Sequence, residues 1–266
     1  MTHGVELFSL AGKTALVTGA TGHLGREMSR ALAEAGAHVL INGRSEERVG
    51  AWVAELRAQG LSAEGAVFDI TDRHKVESFF HSWTGTALHV LVNNAYLGGA
   101  GSFVLSDEDS YRDSYDVVVL AAHRVVRAGL AHLRRAGASG PGASIINIAS
   151  MYGMVSPDPR VYDSGADANP PFYGAAKAAL LQWTRFVACE LGPEGIRVNS
   201  ISPGPFPSVS VQASNPAFVR RLTVKVPLGR IGLPEELKGP ILFLASNASS
   251  FVTGSNLVVD GGWTSW

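Results

Sequence analysis

A chain of 266 residues, 46% hydrophobic and free of low-complexity runs, can bury a core of enzyme size and is neither a linker nor a disordered segment. Its net charge of -1, its pI of about 6.7 and the absence of any lysine or arginine block longer than two exclude a strongly basic nucleic-acid or anionic-membrane surface, which leaves a small molecule as the expected partner. The one cysteine, Cys189, excludes an internal disulfide, fits a reducing compartment and is expected to pack as a small core residue. The N-terminal segment has no basic region leading into a long apolar core, and no apolar run approaches the roughly 18 residues of a membrane span, so a soluble cytoplasmic protein is expected.

Along the chain, short apolar strands alternate with helical patterns. Thr14 to Thr18 (TALVT) reads as a buried strand; GATGHLG follows, and then a helix whose apolar residues Leu24, Met28, Ala31, Leu32 and Ala35 recur at helical spacing up to a stop at Gly36. His38 to Asn42 is the second strand, and Ser45 caps an amphipathic helix that ends before Gly60. A strand near Ala66 to Phe68, a helix from Asp72, a strand from His89 to Asn93 and a long helix from about Asp107 to Arg135 come next. The remainder reads as a strand from Ser144 to Ala149, a helix carrying Tyr173, a strand from Arg197 to Ser202, a helix from Glu235 to Ala245 and a last strand, NLVVD. Such alternation with short connections predicts an α/β fold, one doubly wound parallel sheet with helices on both faces, and nothing in residues 1–266 divides it into two domains.

Ligands of such sheets bind beyond the carboxyl ends of the strands, where the candidate motifs fall. In Thr18-Gly19-Ala20-Thr21-Gly22-His23-Leu24-Gly25 the glycines let backbone N–H groups approach a pyrophosphate at the start of the following helix, although a tight turn alone also favours glycine. The second strand ends in Asn42-Gly43-Arg44; an acidic residue there would hold the ribose hydroxyls of NAD, whereas a guanidinium pairs with a 2′-phosphate, which favours NADP. Pro170 and Pro171 lead into a helix that presents Tyr173 and Lys177 on one face, and a cation one turn away is expected to favour the phenolate.

Taken together, TGATGHLG, the FDIT segment around Asp69, Asn93-Asn94-Ala95, NIAS ending at Ser150, YGAAK, RVNSISPG and VVDGG resemble the short-chain dehydrogenase/reductase family over essentially the whole chain. The resemblance implies a nicotinamide-dependent oxidoreductase in which Tyr173 exchanges a proton with the substrate oxygen, Ser150 hydrogen-bonds that oxygen, and Lys177 holds the nicotinamide ribose. It also implies a cofactor track of Gly19, Thr21, His23 and Leu24 at the phosphates, Arg44 at the 2′-phosphate, Asp69 and Ile70 at the adenine, Asn93 and Ala95 along the cofactor, and Pro203, Gly204, Phe206 and Ser208 beside the nicotinamide. No metal is expected. A homotetramer or dimer is implied, with Leu228, Ile231, Trp263 and Trp266 expected at a subunit contact.

The chain departs from the family pattern at three places. His23 stands for the middle glycine of the turn, Tyr96 follows Asn93-Asn94-Ala95 where the family has glycine, and Val118 takes the position of the asparagine that helps anchor a proton-relay water. His123, five residues on, is expected to face elsewhere on its helix. Two segments, about 151–172 and 203–230, read as flexible substrate loops, and the polar residues Asp158, Arg160, Tyr162, Asp163, Asp167 and Asn169 in the first suit a keto-sugar, sugar acid or polyol. Its wording is similar to gluconate 5-dehydrogenase-like and sugar-modifying members of the family. Val118 motivates the alternative of a dinucleotide-binding regulator without turnover; an epimerase or dehydratase, which shares the Tyr-x-x-x-Lys pair, needs a further substrate domain for which the chain is too short.

Overall fold

The computed structural model describes residues 4–138 and 142–266; residues 1–3, part of the N-terminal segment inspected for a leader, and 139–141 lie outside the described residues. Among the described residues, seven strands form one parallel sheet: β1 (Thr14–Val17), β2 (His38–Gly43), β3 (Ala63–Val67), β4 (Val90–Asn93), β5 (Ala143–Ile148), β6 (Ile196–Pro203) and β7 (Asn256–Val259), in the order β3-β2-β1-β4-β5-β6-β7. The chain reverses its direction of travel across the sheet between β1 and β4, which opens a crevice at their carboxyl ends. The central strands are buried on both faces, and successive residues serve opposite layers. Leu16, Leu91 and Ile145 join one core, while Ala15, Val17, Val92 and Ile146 join the other.

The first core packs under α3 (Arg73–Ser82), α5 (Ala121–Gly137) and α6 (Pro171–Leu191); the second packs under α1 (His23–Glu34), α2 (Glu46–Ala58) and α9 (Lys238–Ala245). Each fully buried Val, Leu or Ile in these layers contributes about 1.5–3 kcal/mol of transfer free energy. Helix starts follow the sequence signals: Ser45 accepts from Arg48 N and Asp72 from Lys75 N.

Four expectations are corrected. The long helix is not continuous: α4 (Glu108–Tyr115) gives way to a π-helical turn, Asp116–Leu120, before α5. Three consecutive β-branched residues, Val117 to Val119, are all buried there, and the wider turn lets them face the core together. Cys189 is exposed, because the outer face of α6 opens to solvent in its second half, where Phe186 is exposed too. Trp263 packs inside its own chain, edge-on to Tyr152 with ring centroids 6.5 Å apart. The polar side chains of the 151–172 segment are mostly spent on internal ties. Asp158 is paired with Arg160 and Lys225, Asp163 with Arg221 and Asn215, Asp167 with Ser164, and the Tyr162 hydroxyl with that of Tyr152. Arg221 and Lys225 belong to α8 (Pro216–Lys225), which follows α7 (Val209–Ser214), so the two loop segments are joined to each other.

Candidate active site

A cleft of about 590 Å³ lies beyond the carboxyl ends of the strands, at the β1/β4 reversal. At its floor the turn after β1 is held by Thr18, whose hydroxyl donates to Val92 O and accepts from Asn94 N and Ala95 N. The Asn94 amide completes the clamp by donating to the carbonyls of Thr18 and Gly19. Glycine is required at two positions of the turn. Gly19 has φ +61° and a Cβ there would lie 2.8 Å from Ala95 Cα; a Cβ on Gly25 would lie 2.3 Å from Gly19 O and 2.8 Å from Asn94 Nδ2. Gly22 caps α1 with no side-chain hydrogen bond, so the N–H groups at the helix start are available to an anion in the cleft. This tight, donor-rich cradle fits the pyrophosphate of a dinucleotide.

One end of the cleft is cationic. Arg44 lines it and approaches Asp69 at 4.0 Å, and Asp69 accepts from Thr71 N and Oγ1, which fixes its carboxylate at the end of β3. Arg48, absent from the sequence-based set, lines the same end and donates to Thr21 O at 3.3 Å. The signal was present: with Ser45 as the helix cap, Arg48 falls in the first turn of α2, four residues after Arg44.

At the other end stand Ser150, Tyr173 and Lys177. Ser150 lies two residues beyond the end of β5, and its Oγ accepts from Tyr152 N at 3.1 Å. Pro170 caps α6 and Pro171 opens it, with Tyr173 in the first turn. Lys177 is 4% exposed, donates to Ile148 O at 2.6 Å, and lies 5.7 Å from the centroid of the Tyr173 ring and 5.5 Å from that of Tyr96. The Tyr96 and Tyr173 rings meet edge to face at 4.7 Å. Burial pushes the lysine down to about 7. Burial also raises the Tyr173 phenol above its ordinary value, and a hydrogen bond with the Ser150 side chain brings it only part of the way back. The expectation that Lys177 makes the phenol more acidic is therefore not met in the protein alone: the ammonium is engaged by Ile148 O, and desolvation of the phenolate outweighs it.

Of the sequence-predicted residues, Gly19, Thr21, His23, Leu24, Arg44, Asp69, Ile70, Ala95, Ser150, Tyr173, Lys177, Pro203, Gly204 and Phe206 line the cleft. Asn93 and Ser208 do not. Asn93 is buried and donates to Asn147, and Ser208 caps α7. His123 is exposed and outside the cleft, as its helical phase predicts. Val118 is buried behind Lys177.

Comparison with known proteins agrees with this geometry. The family profile described as enoyl-(acyl carrier protein) reductase matches residues 19–264. The chain belongs to the short-chain dehydrogenase/reductase family. As a member of it, the protein is an NAD(P)-dependent oxidoreductase that transfers a hydride between a nicotinamide cofactor and a carbonyl or secondary alcohol. It is 34% identical to 5-keto-D-gluconate 5-reductase of Escherichia coli and to gluconate 5-dehydrogenase of Gluconobacter oxydans, in each case over 97% of both chains. The solved gluconate 5-dehydrogenase from Burkholderia cenocepacia, in complex with NADP and tartrate, superposes with a TM-score of 0.87 at 32% identity, covering 99% of this chain and all of the other. Among the described residues of this short-chain dehydrogenase/reductase, no helix is long and apolar enough to cross a membrane and no cluster of three metal-binding side chains occurs.

Proposed function

We propose that the protein is an NADPH-dependent reductase of a keto group on a sugar acid or related polyol, with Ser150, Tyr173 and Lys177 as its catalytic residues. The observation that carries this is the joint placement of those three side chains at one end of a cleft whose other end presents Arg44 and Arg48. The two guanidiniums suit a 2′-phosphate, each as a charge-assisted donor. A bound nicotinamide supplies the hydride. Reduction builds negative charge on the carbonyl oxygen, and the hydroxyls of Ser150 and Tyr173 stabilise it as converging donors. Tyr173 is protonated at neutral pH, as an ordinary phenol is, and burial holds it in that form; its O–H bond breaks as the proton passes to the substrate oxygen. In its charged form Lys177 stabilises the phenolate left behind.

The sugar-acid reading is supported by the names of the relatives over the full length of the chain, not by the polarity of the 151–172 loop, whose charges are paired internally. The two joined loop segments are read as a lid that moves as one piece. The exposed Tyr115, Leu120 and Phe186 on the outer helices, with Trp266, support assembly into a homo-oligomer, and the lone cysteine suits a cytoplasmic setting. The test is steady-state NADPH and NADH oxidation against a panel of keto-sugar acids, keto-sugars and simple cyclic ketones. NADPH-dependent turnover, fastest with a keto-sugar acid, is expected. Dinucleotide binding with no turnover across the panel would instead favour the regulator that Val118 suggests.

A further inference from the structure

Tyr96 departs from the family pattern, and the proposed reaction leaves it without a task. Three residues after the end of β4, it brings a phenol into the cleft where the family has a hydrogen atom. Its ring is held on several sides: it meets Tyr173 edge to face with centroids 4.7 Å apart, lies 5.5 Å from Lys177 Nζ and packs against the first core. The hydroxyl is not held. It has no hydrogen-bond partner among the described residues, yet it is not one of the sealed polar atoms of the interior, so a molecule in the cleft can reach it. Burial raises this phenol above its ordinary value and the neighbouring Tyr173 adds to the rise, so the group keeps its proton and can donate as well as accept.

The rest of that end of the cleft offers a substrate few polar side chains. Ser150 and Tyr173 serve the reacting oxygen, Lys177 is engaged by Ile148 O, and the Asn94 amide is spent on the carbonyls of the turn. Leu97, Val117, Ile148, Ala149, Pro203 and Phe206 are apolar, and the guanidiniums of Arg44 and Arg48 stand at the opposite end. We propose that Tyr96 is a specificity-determining residue whose hydroxyl hydrogen-bonds a second oxygen of the substrate, a hydroxyl on a carbon near the keto group. The inference rests on the proposed function and narrows its substrate class to hydroxy ketones. A ring fixed against Tyr173 keeps its own hydroxyl beside the group that protonates the keto oxygen, and a neutral phenol far from both guanidiniums matches a neutral hydroxyl. A plain ketone would leave this donor without a substrate partner, which is how such a site discriminates.

Tyr96→Phe keeps the ring and removes the hydroxyl alone. In NADPH oxidation the native protein is expected to favour 2-hydroxycyclohexanone over cyclohexanone in kcat/KM, and the preference to fall about 3- to 10-fold in Tyr96→Phe, the worth of one hydrogen bond open to water. An unchanged preference would overturn the assignment. So would a loss shared equally by both ketones, since that is the mark of a residue that only props Tyr173. Binding separates this result from a failure of the proposed function. With NADP present, native protein is expected to bind cyclohexane-1,2-diol about 3- to 10-fold more tightly than cyclohexanol by calorimetry, and Tyr96→Phe to hold the two alike. Native protein that does not distinguish the two alcohols, or binds neither, would refute the role of Tyr96 without recourse to any variant. Absence of turnover with both ketones, with the alcohols still distinguished through Tyr96, would count against the reductase and uphold the hydroxyl contact.

Discussion

Replacing Gly25 by alanine tests the cofactor cradle where the geometry is tightest. A Cβ at this position would sit 2.3 Å from Gly19 O and 2.8 Å from Asn94 Nδ2, against an ordinary contact distance of 3.4–4 Å, so either the phosphate turn or the start of α1 must retreat by roughly 1 Å. Neither neighbour yields easily. Gly19 O accepts from both Gly22 N and Asn94 Nδ2, and Asn94 is tied to Thr18. Overpacking of this kind costs about 1–3 kcal/mol, which for a chain of this size lowers Tm by about 2–4 °C per kcal/mol. The effect on the cofactor is larger in proportion, because a displaced N–H donor to a charged phosphate forfeits about 1.5–3 kcal/mol, or roughly a 10- to 150-fold rise in Kd. Gly50→Ala is the control: it lies on the exposed face of α2 with nothing within 4 Å of its Cβ, so it is expected to gain about 0.5–1 kcal/mol of stability and leave the cofactor alone. Fluorescence titration of NADPH with thermal melting reads both. If Gly25→Ala bound NADPH within twofold of the native protein, the assignment of this turn to the pyrophosphate would fail.

Other outcomes follow from the same geometry. Arg44→Ala, alone and with Arg48→Ala, is expected to weaken NADPH about 10- to 100-fold per lost charge-assisted contact while changing NADH little, as read by titration with both dinucleotides. Ser150→Ala removes one of two donors to the developing oxyanion and is expected to lower kcat about a hundred-fold or more with a small effect on KM in steady-state assays. Lys177→Met is expected to stabilise the protein alone. Burial pushes this lysine to about 7 from an ordinary 10.5, so its cost is full below pH 7 and fades as pH rises toward 10.5. The gain in Tm over native should therefore be larger at pH 6.5 than at pH 9, and an equal gain at both would contradict the burial argument.

Much of this was legible in the sequence for physical reasons that differ from residue to residue. Parallel strands buried on both faces leave uninterrupted apolar runs, and turns that must admit a ligand leave glycine and asparagine behind them, so the sheet and the cleft residues from Gly19 to Gly204 could be read directly. Ser45 and Asp72 announced their helices because a short polar side chain satisfies an N–H that nothing else reaches. The π-turn was hidden, since Val117 to Val119 are apolar residues in a helical context and the pattern does not register one extra residue per turn. Asn93 matched the cofactor motif but spends its amide on Asn147, a partner 54 residues away that no local pattern reveals. Cys189 and Trp263 were misplaced because exposure depends on which faces the neighbouring elements cover, and the loop charges because pairing partners such as Lys225 lie far along the chain. The acidity of Tyr173 was read from one neighbour, while burial by the whole surrounding wall decides its sign.

The most direct test of the central claim is a comparison of native protein and Tyr173→Phe in NADPH oxidation with a keto-sugar acid, with NADPH affinity measured on both. The account predicts measurable turnover in the native protein, a fall of about a thousand-fold or more in the variant, and nearly unchanged NADPH affinity, since the hydroxyl acts on the substrate oxygen. Turnover in Tyr173→Phe within a few-fold of native would contradict it.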